Sequence, residues 1–335
     1  MSRFLHLPES TTQSKLVMIL VRTTLVIGAG ASAHLDFPTG ERLTPQILEL
    51  AKGMNDDLRN ALGFAQEKCQ EFYVKFRDAG QPSIDRFLER QQEQEMVRLG
   101  KTLIAMALVP YENPDALSRH RTQPGTYRNW YEDLFQAMRP NDGTDFFANR
   151  LAIVTFNYDR SLEHYLATAI FNSGYADTYE HALGRLESLC IFHFHGQLGR
   201  LKLEPRERYR PYSTTVTPEI LTRCAEDIRV THEWHPHLQN MRSLHVYARL
   251  ARKNLENSER IIFLGFGYDD TNLENLGWLA SRPKAARIEG TWKGIGRVSA
   301  ERISQKYHIE MPAYGDANVE EFLGETLPLD HSPVD

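Results

Sequence analysis

The sequence predicts an α/β fold built on a parallel sheet. Three observations carry this. Largely apolar strand-like runs recur along the chain, at Thr23–Ile27, Leu151–Phe156, Leu189–Phe194 and Arg260–Leu264, the first wholly β-branched or aliphatic. Strands buried on both faces read this way. Between the runs lie segments with apolar residues at helical spacings of three and four. Each run ends in glycine or polar residues: Gly28, Gly30 and Ser32; Asn157 and Asp159; His195 and Gly196; Gly265, Gly267 and Asp270. In an open parallel sheet, ligands bind beyond the carboxyl ends of the strands. Four such endings point to one functional edge.

The first strand runs straight into Gly28-Ala-Gly-Ala-Ser32. Gly28 permits a tight turn, and Gly30, lacking a Cβ, lets a pyrophosphate come close. Ser32 reads as a helix N-cap, where free N–H groups and the dipole favour phosphate. Gly28, Gly30 and Ala33 form the Gly-x-Gly-x-x-Ala dinucleotide fingerprint, a weak signal alone. Pro38 and Gly40 rule out a long first helix, and Thr44 with Pro45 marks a clearer helix start. A dehydrogenase would place a ribose-binding acid on a second strand about 20 residues after the glycines. Here Gln46–Lys52 is a helical pattern instead, which argues against ordinary hydride transfer.

Residues 45–140 read as a helical insertion, with helices at Glu67–Arg77, Ile84–Leu108 and Tyr127–Met138. The charged run Glu89–Glu95 reads as a solvated helix face, and Pro110–Gly125 as a loop that orders over a ligand. The alternating pattern resumes at Leu151. A helix follows Asn157-Tyr-Asp159, another precedes Arg260, and a further one follows Asp270. A fifth strand near Ala286–Trp292, a helix at 299–306, a short strand at Tyr307–Met311 and a helix at 318–323 close the domain. The expected organisation is one Rossmann-like domain over residues 1–325, with its core at about 20–44 and 145–325, and a tail at 326–335.

Bulk properties bound the function. The 335 residues are 41% hydrophobic and 25% charged, enough apolar mass for a real core. A net charge of −5 gives no sign of a nucleic-acid or membrane surface. Lys15–Arg22 holds an apolar hexamer too short to span a membrane; it reads as a short strand or helix packed on the sheet. Cys69, Cys190 and Cys224 are far apart and form no Cys-x-x-Cys pair. No zinc module or disulfide framework is expected, and a reducing cytoplasm is the default.

Taken in order, Gly28-Ala-Gly-Ala-Ser32 with Pro38-Thr-Gly40, Thr155-Phe-Asn157-Tyr-Asp159 with Glu163, Phe194-His195-Gly196, and Gly265-Phe-Gly267-Tyr-Asp-Asp270 resemble the sirtuin-like NAD-binding domain. The nearer resemblance is to the bacterial NADase branch of antiphage defence, over about residues 20–325. Deacetylases of the family carry two zinc-binding Cys-x-x-Cys pairs and a Gly-Ile-Pro-Asp-Phe-Arg stretch. This chain has neither, with Asp36-Phe-Pro-Thr-Gly40 in the second place. The resemblance implies hydrolysis of NAD to nicotinamide and ADP-ribose, with NAD as substrate, by a toxic effector held in check until triggered. It also implies a homo-oligomer or a partner such as a HerA-type ATPase.

The chemistry fits the residue types. Cleaving the nicotinamide–ribose bond passes through an oxocarbenium-like ribose. His195 can take a proton near neutral pH, and Asn157 can donate to and accept from a ribose hydroxyl at once. The resemblance assigns catalysis to these same two positions. Their plainer readings are a strand-end histidine bonded to backbone and a helix cap. Gly28, Ala29, Gly30 and Ser32 are expected at the phosphates, and Gly265 and Gly267 beside the adenosine ribose. Asp159 and Asp270 read equally as cofactor contacts or helix caps. Thr39 faces nicotinamide by resemblance only.

Other constellations are weaker. His193 and His195 share a strand face, but no third metal ligand is evident. His232-Glu-Trp-His-Pro-His237 has the wrong spacing for a His-Glu-x-x-His site, and Pro236 breaks the helix it needs. No phosphate-binding Gly-x-x-x-x-Gly-Lys loop and no Gly-x-Ser-x-Gly elbow occurs. Two competing classes stay open. One is a deacylase or ADP-ribosyl transferase using the same NAD site. The other is a non-catalytic NAD- or ADP-ribose-binding module.

Overall fold

The structure, a computed structural model, describes residues 18–123, 129–140, 145–201, 209–230 and 242–326, with side chains from 249 onward in the last span. Part of the apolar segment at Lys15–Arg22, the His232–His237 cluster, Tyr127 and the tail beyond 326 lie outside the described residues. Met18 and Ile19 are buried without forming a strand or helix, and the Ile19 N–H donates to Asn149 Oδ1 at 2.8 Å.

Five parallel strands form one sheet: β1 (Thr23–Ile27), β2 (Leu151–Thr155), β3 (Ile191–His193), β4 (Arg260–Leu264) and β5 (Arg287–Gly290), in the order β3-β2-β1-β4-β5. This is the strand order of Rossmann-like dinucleotide-binding folds, reversing direction between β1 and β4. Alternate residues feed two cores. Leu25, Ile27, Ile153, Ile262 and Leu264 face one; Val26, Val154, Ile261 and Phe263 face the other. Both faces are covered, which is why the central strands β1, β2 and β4 are mostly apolar.

Before β2 the chain forms α1 (Gly40–Gly53), α2 (Asp56–Ala61), α3 (Gln66–Asp78), α4 (Ile84–Leu88), α5 (Gln94–Leu108), α6 (Arg119–Thr122) and α7 (Trp130–Met138). Beyond it come α8 (Ser161–Asn172), α9 (Tyr179–Leu186), α10 (Pro218–Asp227), α11 (Arg242–Glu256), α12 (Asp270–Leu276), α13 (Trp278–Ser281), α14 (Arg297–Tyr307) and α15 (Val319–Thr326). The helical block packs into the first core with α8 and α9; α11, α12 and α13 line the second.

Several boundaries differ from expectation. Helix α1 starts at Gly40 with Thr39 as its N-cap, so Pro45 lies inside it. Pro45 falls just past the first turn, where its missing N–H removes a single helical bond. The span Ile84–Leu108 is two helices rather than one. Leu88 sits against Gly100, where a Cβ would stand 2.5 Å from Leu88 Cδ2, so the chain must fold back at Glu89–Glu93. Residues from Pro110 onward are short helical turns, with Asn113 accepting from the Asp115 N–H. Strand β3 is shorter than expected because Cys190 adopts a left-handed conformation at φ 51°. The segment at Tyr307–Met311 contributes one bridge, Glu289 to Glu310, instead of a strand.

A buried charge cluster ties the helical block to the sheet. Glu112, Arg160 and Arg210 are all fully buried. Arg160, just after β2, donates through Nε to Glu112 Oε1 at 3.1 Å and through Nη1 to the Arg210 carbonyl at 2.8 Å. Both guanidinium groups pair with Glu112 Oε2. Arg210 also donates to the carbonyls of Leu198 and Ser213. Removing one partner of such a cluster strands a desolvated charge. Glu112→Gln is therefore expected to lower unfolding free energy by about 3–5 kcal/mol in a urea titration; a loss below about 1 kcal/mol would contradict it.

Candidate active site

The glycine loop and the β4 loop meet at the carboxyl edge. Ile27 pairs with Leu264, so Gly28 and Gly265 lie side by side. A Cβ on Gly28 would stand 2.7 Å from the Gly265 oxygen, and one on Gly265 would stand 2.1 Å from the Ala31 nitrogen. Gly265 is also left-handed, at φ 56°. Three amides of the loop are already engaged: Gly28 N–H with Leu264 O, Gly30 N–H with Gly265 O, and Ala31 N–H with Gly28 O, at 3.0, 2.9 and 2.9 Å. The glycines thus let two turns touch. Residues 29–35 form a 3-10 helix with Gly28 as N-cap, so Ser32 lies inside it and caps nothing.

Ser32 instead joins the strand ends. Its hydroxyl donates to Asp159 Oδ2 at 2.8 Å and accepts from Asn157 Nδ2 at 3.0 Å. The same Asn157 amide donates to the Gly28 carbonyl at 3.1 Å. Both N–H groups of Asn157 are therefore used, so toward a ligand it can only accept, through Oδ1. Asp159 Oδ1 accepts from the Ser161 N–H at 3.1 Å, a cap-like bond at the start of α8. Burial pushes the Asp159 carboxyl above its ordinary range. Tyr131 lies over these groups from α7, its phenol raised by the same burial.

His195 lies two residues past the end of β3, as Asn157 lies two past the end of β2, but the two side chains have different neighbours: His195 meets Phe156, Tyr158 and Asn272, while Asn157 meets Gly28 and Ser32. His195 is 3% exposed, and its Nδ1 is buried without a hydrogen-bond partner. Its Nε2 faces Asn272 Oδ1 at 3.3 Å. Gly196 explains the His-Gly pair. At φ 73° it lies on the Asp227 carbonyl, 2.0 Å from where a Cβ would be. The Arg229 N–H then holds the His195 carbonyl at 2.8 Å.

His193 plays a different part. Its Nδ1 donates to the Asn157 carbonyl at 3.0 Å and its Nε2 to Glu163 Oε1. Burial alone would lower the imidazole, but Glu163 outweighs it and raises the pKa; burial alone would raise Glu163, but His193 lowers it. The result is a charged pair that braces the Asn157 loop. Among the described residues, no group of three side chains could hold a metal.

Four expected residues stand apart. Asp270 binds Lys306 and Tyr307, while Asp269 caps α12 and accepts from Arg86 at 3.4 Å. Thr39 occupies the N-cap position of α1 without a side-chain capping bond. Ala29 and Gly267 are exposed, and a Cβ on Gly267 would meet nothing within 4 Å. Sequence reasoning missed Asn272, Tyr131, and Asp85, which accepts from the Tyr158 hydroxyl. Each comes from an element remote in sequence.

Two spaces adjoin these groups. A cavity of about 10 Å³, lined by Ser32, Tyr131, Asn157, Asp159 and Glu163, has room for one water. A cleft of about 520 Å³ runs outside edge strand β3, past Cys190, His193, Gly196 and Arg200, and shares Glu163 with the small cavity. The convergence of polar groups, not the larger volume, marks the site. No protein-family model matches the sequence, and no curated protein matches it significantly.

Two outcomes follow. Gly265→Ala is expected to cost about 2–4 kcal/mol from overpacking and left-handed strain, while Gly267→Ala costs about 0.5 kcal/mol or less, both read by urea melts. For the ion pair, the ordinary values are 4.5 for Glu163 and 6.5 for His193. A lowered Glu163 stabilises above 4.5 and a raised His193 stabilises below 6.5. A double-mutant cycle of Glu163→Gln and His193→Gln should therefore give its largest coupling between those values. The coupling should fall at lower pH as Glu163 protonates and at higher pH as His193 loses its proton. A coupling that falls on neither side of this range would refute the pair's ionisation.

Proposed function

We propose that the chain is an NAD glycohydrolase, cleaving NAD to nicotinamide and ADP-ribose. One observation carries this reading: a buried histidine, His195, with Nδ1 unpartnered, just past the end of β3 at the carboxyl edge of a Rossmann-like sheet whose neighbouring strand ends in Asn157. The ordered resemblance to sirtuin-like NADases supports it. The lack of any Cys-x-x-Cys pair favours hydrolysis over deacylation.

In this reading Asn157 Oδ1 accepts from a ribose hydroxyl and holds the sugar. The C1′–N bond breaks and nicotinamide leaves with the bonding pair. A water oxygen bonds to C1′, and its proton passes to His195 Nδ1. Gly28, Gly30 and Gly265 bring the loops together, and exposed Ala29 and Gly267 leave open surface for the rest of the dinucleotide. The space at Asn157 admits one water, so substrate entry requires the cover from Trp130 and Tyr131 of α7 to part. Such closure suits an NAD-depleting effector of antiphage defence acting in the cytoplasm, opened by self-assembly or by a partner such as a HerA-type ATPase. Among the described residues no helix is long and apolar enough to cross a membrane.

The same closure favours a second reading, a non-catalytic NAD- or ADP-ribose-binding module. Nicotinamide release from NAD by the purified chain, alone and with its genomic neighbour, separates the two. His195→Ala and Asn157→Ala are each expected to lower release about 10²- to 10⁴-fold. NAD binding with no release in any mixture would leave the binding module standing. Release only with an acylated peptide present would favour a deacylase.

A further inference from the structure

His195 is held by three elements. Behind it, Gly196 and the Arg229 N–H fix its backbone. Beside it, the Phe156 ring meets the imidazole edge-on at 5.5 Å and the Tyr158 ring lies tilted at 6.0 Å. The polar contact comes from across the sheet, where α12 presents Asn272 Oδ1 to Nε2 at 3.3 Å. The backbone of Asn272 is itself fixed. Its N–H donates to the Asp269 cap at 3.1 Å, Arg86 holds that cap, and Leu273 and Leu276 anchor the helix in the second core.

An amide oxygen only accepts, so Nε2 must carry the proton. In the neutral ring Nδ1 is then a bare lone pair, and Nδ1 is the atom without a partner. The opposite tautomer would set a lone pair on Nε2 against the lone pairs of Oδ1 and leave a buried Nδ1–H with no acceptor. Both changes cost free energy in a desolvated site.

We propose that Asn272 is a positioning residue that fixes the tautomer of His195, keeping Nδ1 as the free acceptor. The role in catalysis rests on His195 acting as the base of NAD hydrolysis; the role in setting the tautomer does not. The partner of a catalytic imidazole commonly selects its tautomer and orientation.

The test uses the full chain with ¹⁵N-labelled histidine at a pH where the ring is neutral. Long-range ¹H–¹⁵N correlation spectra report which nitrogen is protonated, and loss of the signal in His195→Gln assigns it. Wild type is expected to show protonated Nε2. Asn272→Leu should populate both tautomers, and Asn272→Asp, which still accepts, should restore the single form. Nicotinamide release is read alongside. Asn272→Leu should lower kcat about 10- to 100-fold with KM little changed, and Asn272→Asp should recover most of it. Melting temperatures near wild type confirm that both variants fold. Protonated Nδ1 in wild type, or an unchanged single tautomer in Asn272→Leu, overturns the proposal. So does an unchanged kcat in Asn272→Leu when wild type is active. Should wild type release no nicotinamide while the spectra behave as expected, the hydrolase reading falls and the tautomer assignment stands.

Discussion

Two backbone turns touch at the carboxyl edge of the sheet, and the arrangement of the site depends on that contact. Gly30 donates to the Gly265 carbonyl at 2.9 Å, with no room for a Cβ on either side. In doubly wound sheets the crevice opens where the strand order reverses, here between β1 and β4. The glycine contact fills that position. The polar groups gather one strand over instead, around Ser32, Asn157 and Asp159, with His195 beyond them. Asn157 locks the arrangement by donating to Gly28 and Ser32 together.

Much of this was legible in the sequence. The apolar runs located the strands, and their polar endings named Ser32, Asn157, Asp159, His195 and the glycines. Spacing could not say what each would do. Ser32 looked like a cap because a serine after glycines usually is one; the 3-10 geometry turned it inward. Asn157 looked able to donate and accept, but nothing local reveals that Gly28 and Ser32 take both its N–H groups. His193 offered only a weak metal pairing with His195 on one strand face, yet it is the charged brace under the loop. Glu112, Arg210, Asp85 and Asn272 were invisible as site or core residues because their partners lie far along the chain. The break at Glu89–Glu93 was hidden because periodicity runs through it; the close seat of Leu88 on Gly100 decides it.

The electrostatics follow from burial more than from charge count. Asp159 is desolvated and answered by the Ser32 hydroxyl and a backbone N–H, and its carboxyl rises. Glu163 is just as enclosed but faces an imidazolium, and its carboxyl falls. Two acids four residues apart are thus driven in opposite directions by their neighbours. Neighbouring groups with pKa values pushed apart are what proton-transfer sites require.

The Glu112–Arg160–Arg210 cluster changes the standing of the helical block. In sequence, residues 40–138 interrupt the sheet and look like a cassette added to it. Energetically they are not separable. Cutting the chain between them would leave a carboxylate in one fragment and two guanidinium groups in the other, each needing water it cannot reach in the native packing. Block and sheet are bound to fold and melt as one cooperative unit. Any lineage that trimmed or exchanged the block would have had to rewrite the sheet's own buried arginines in the same step.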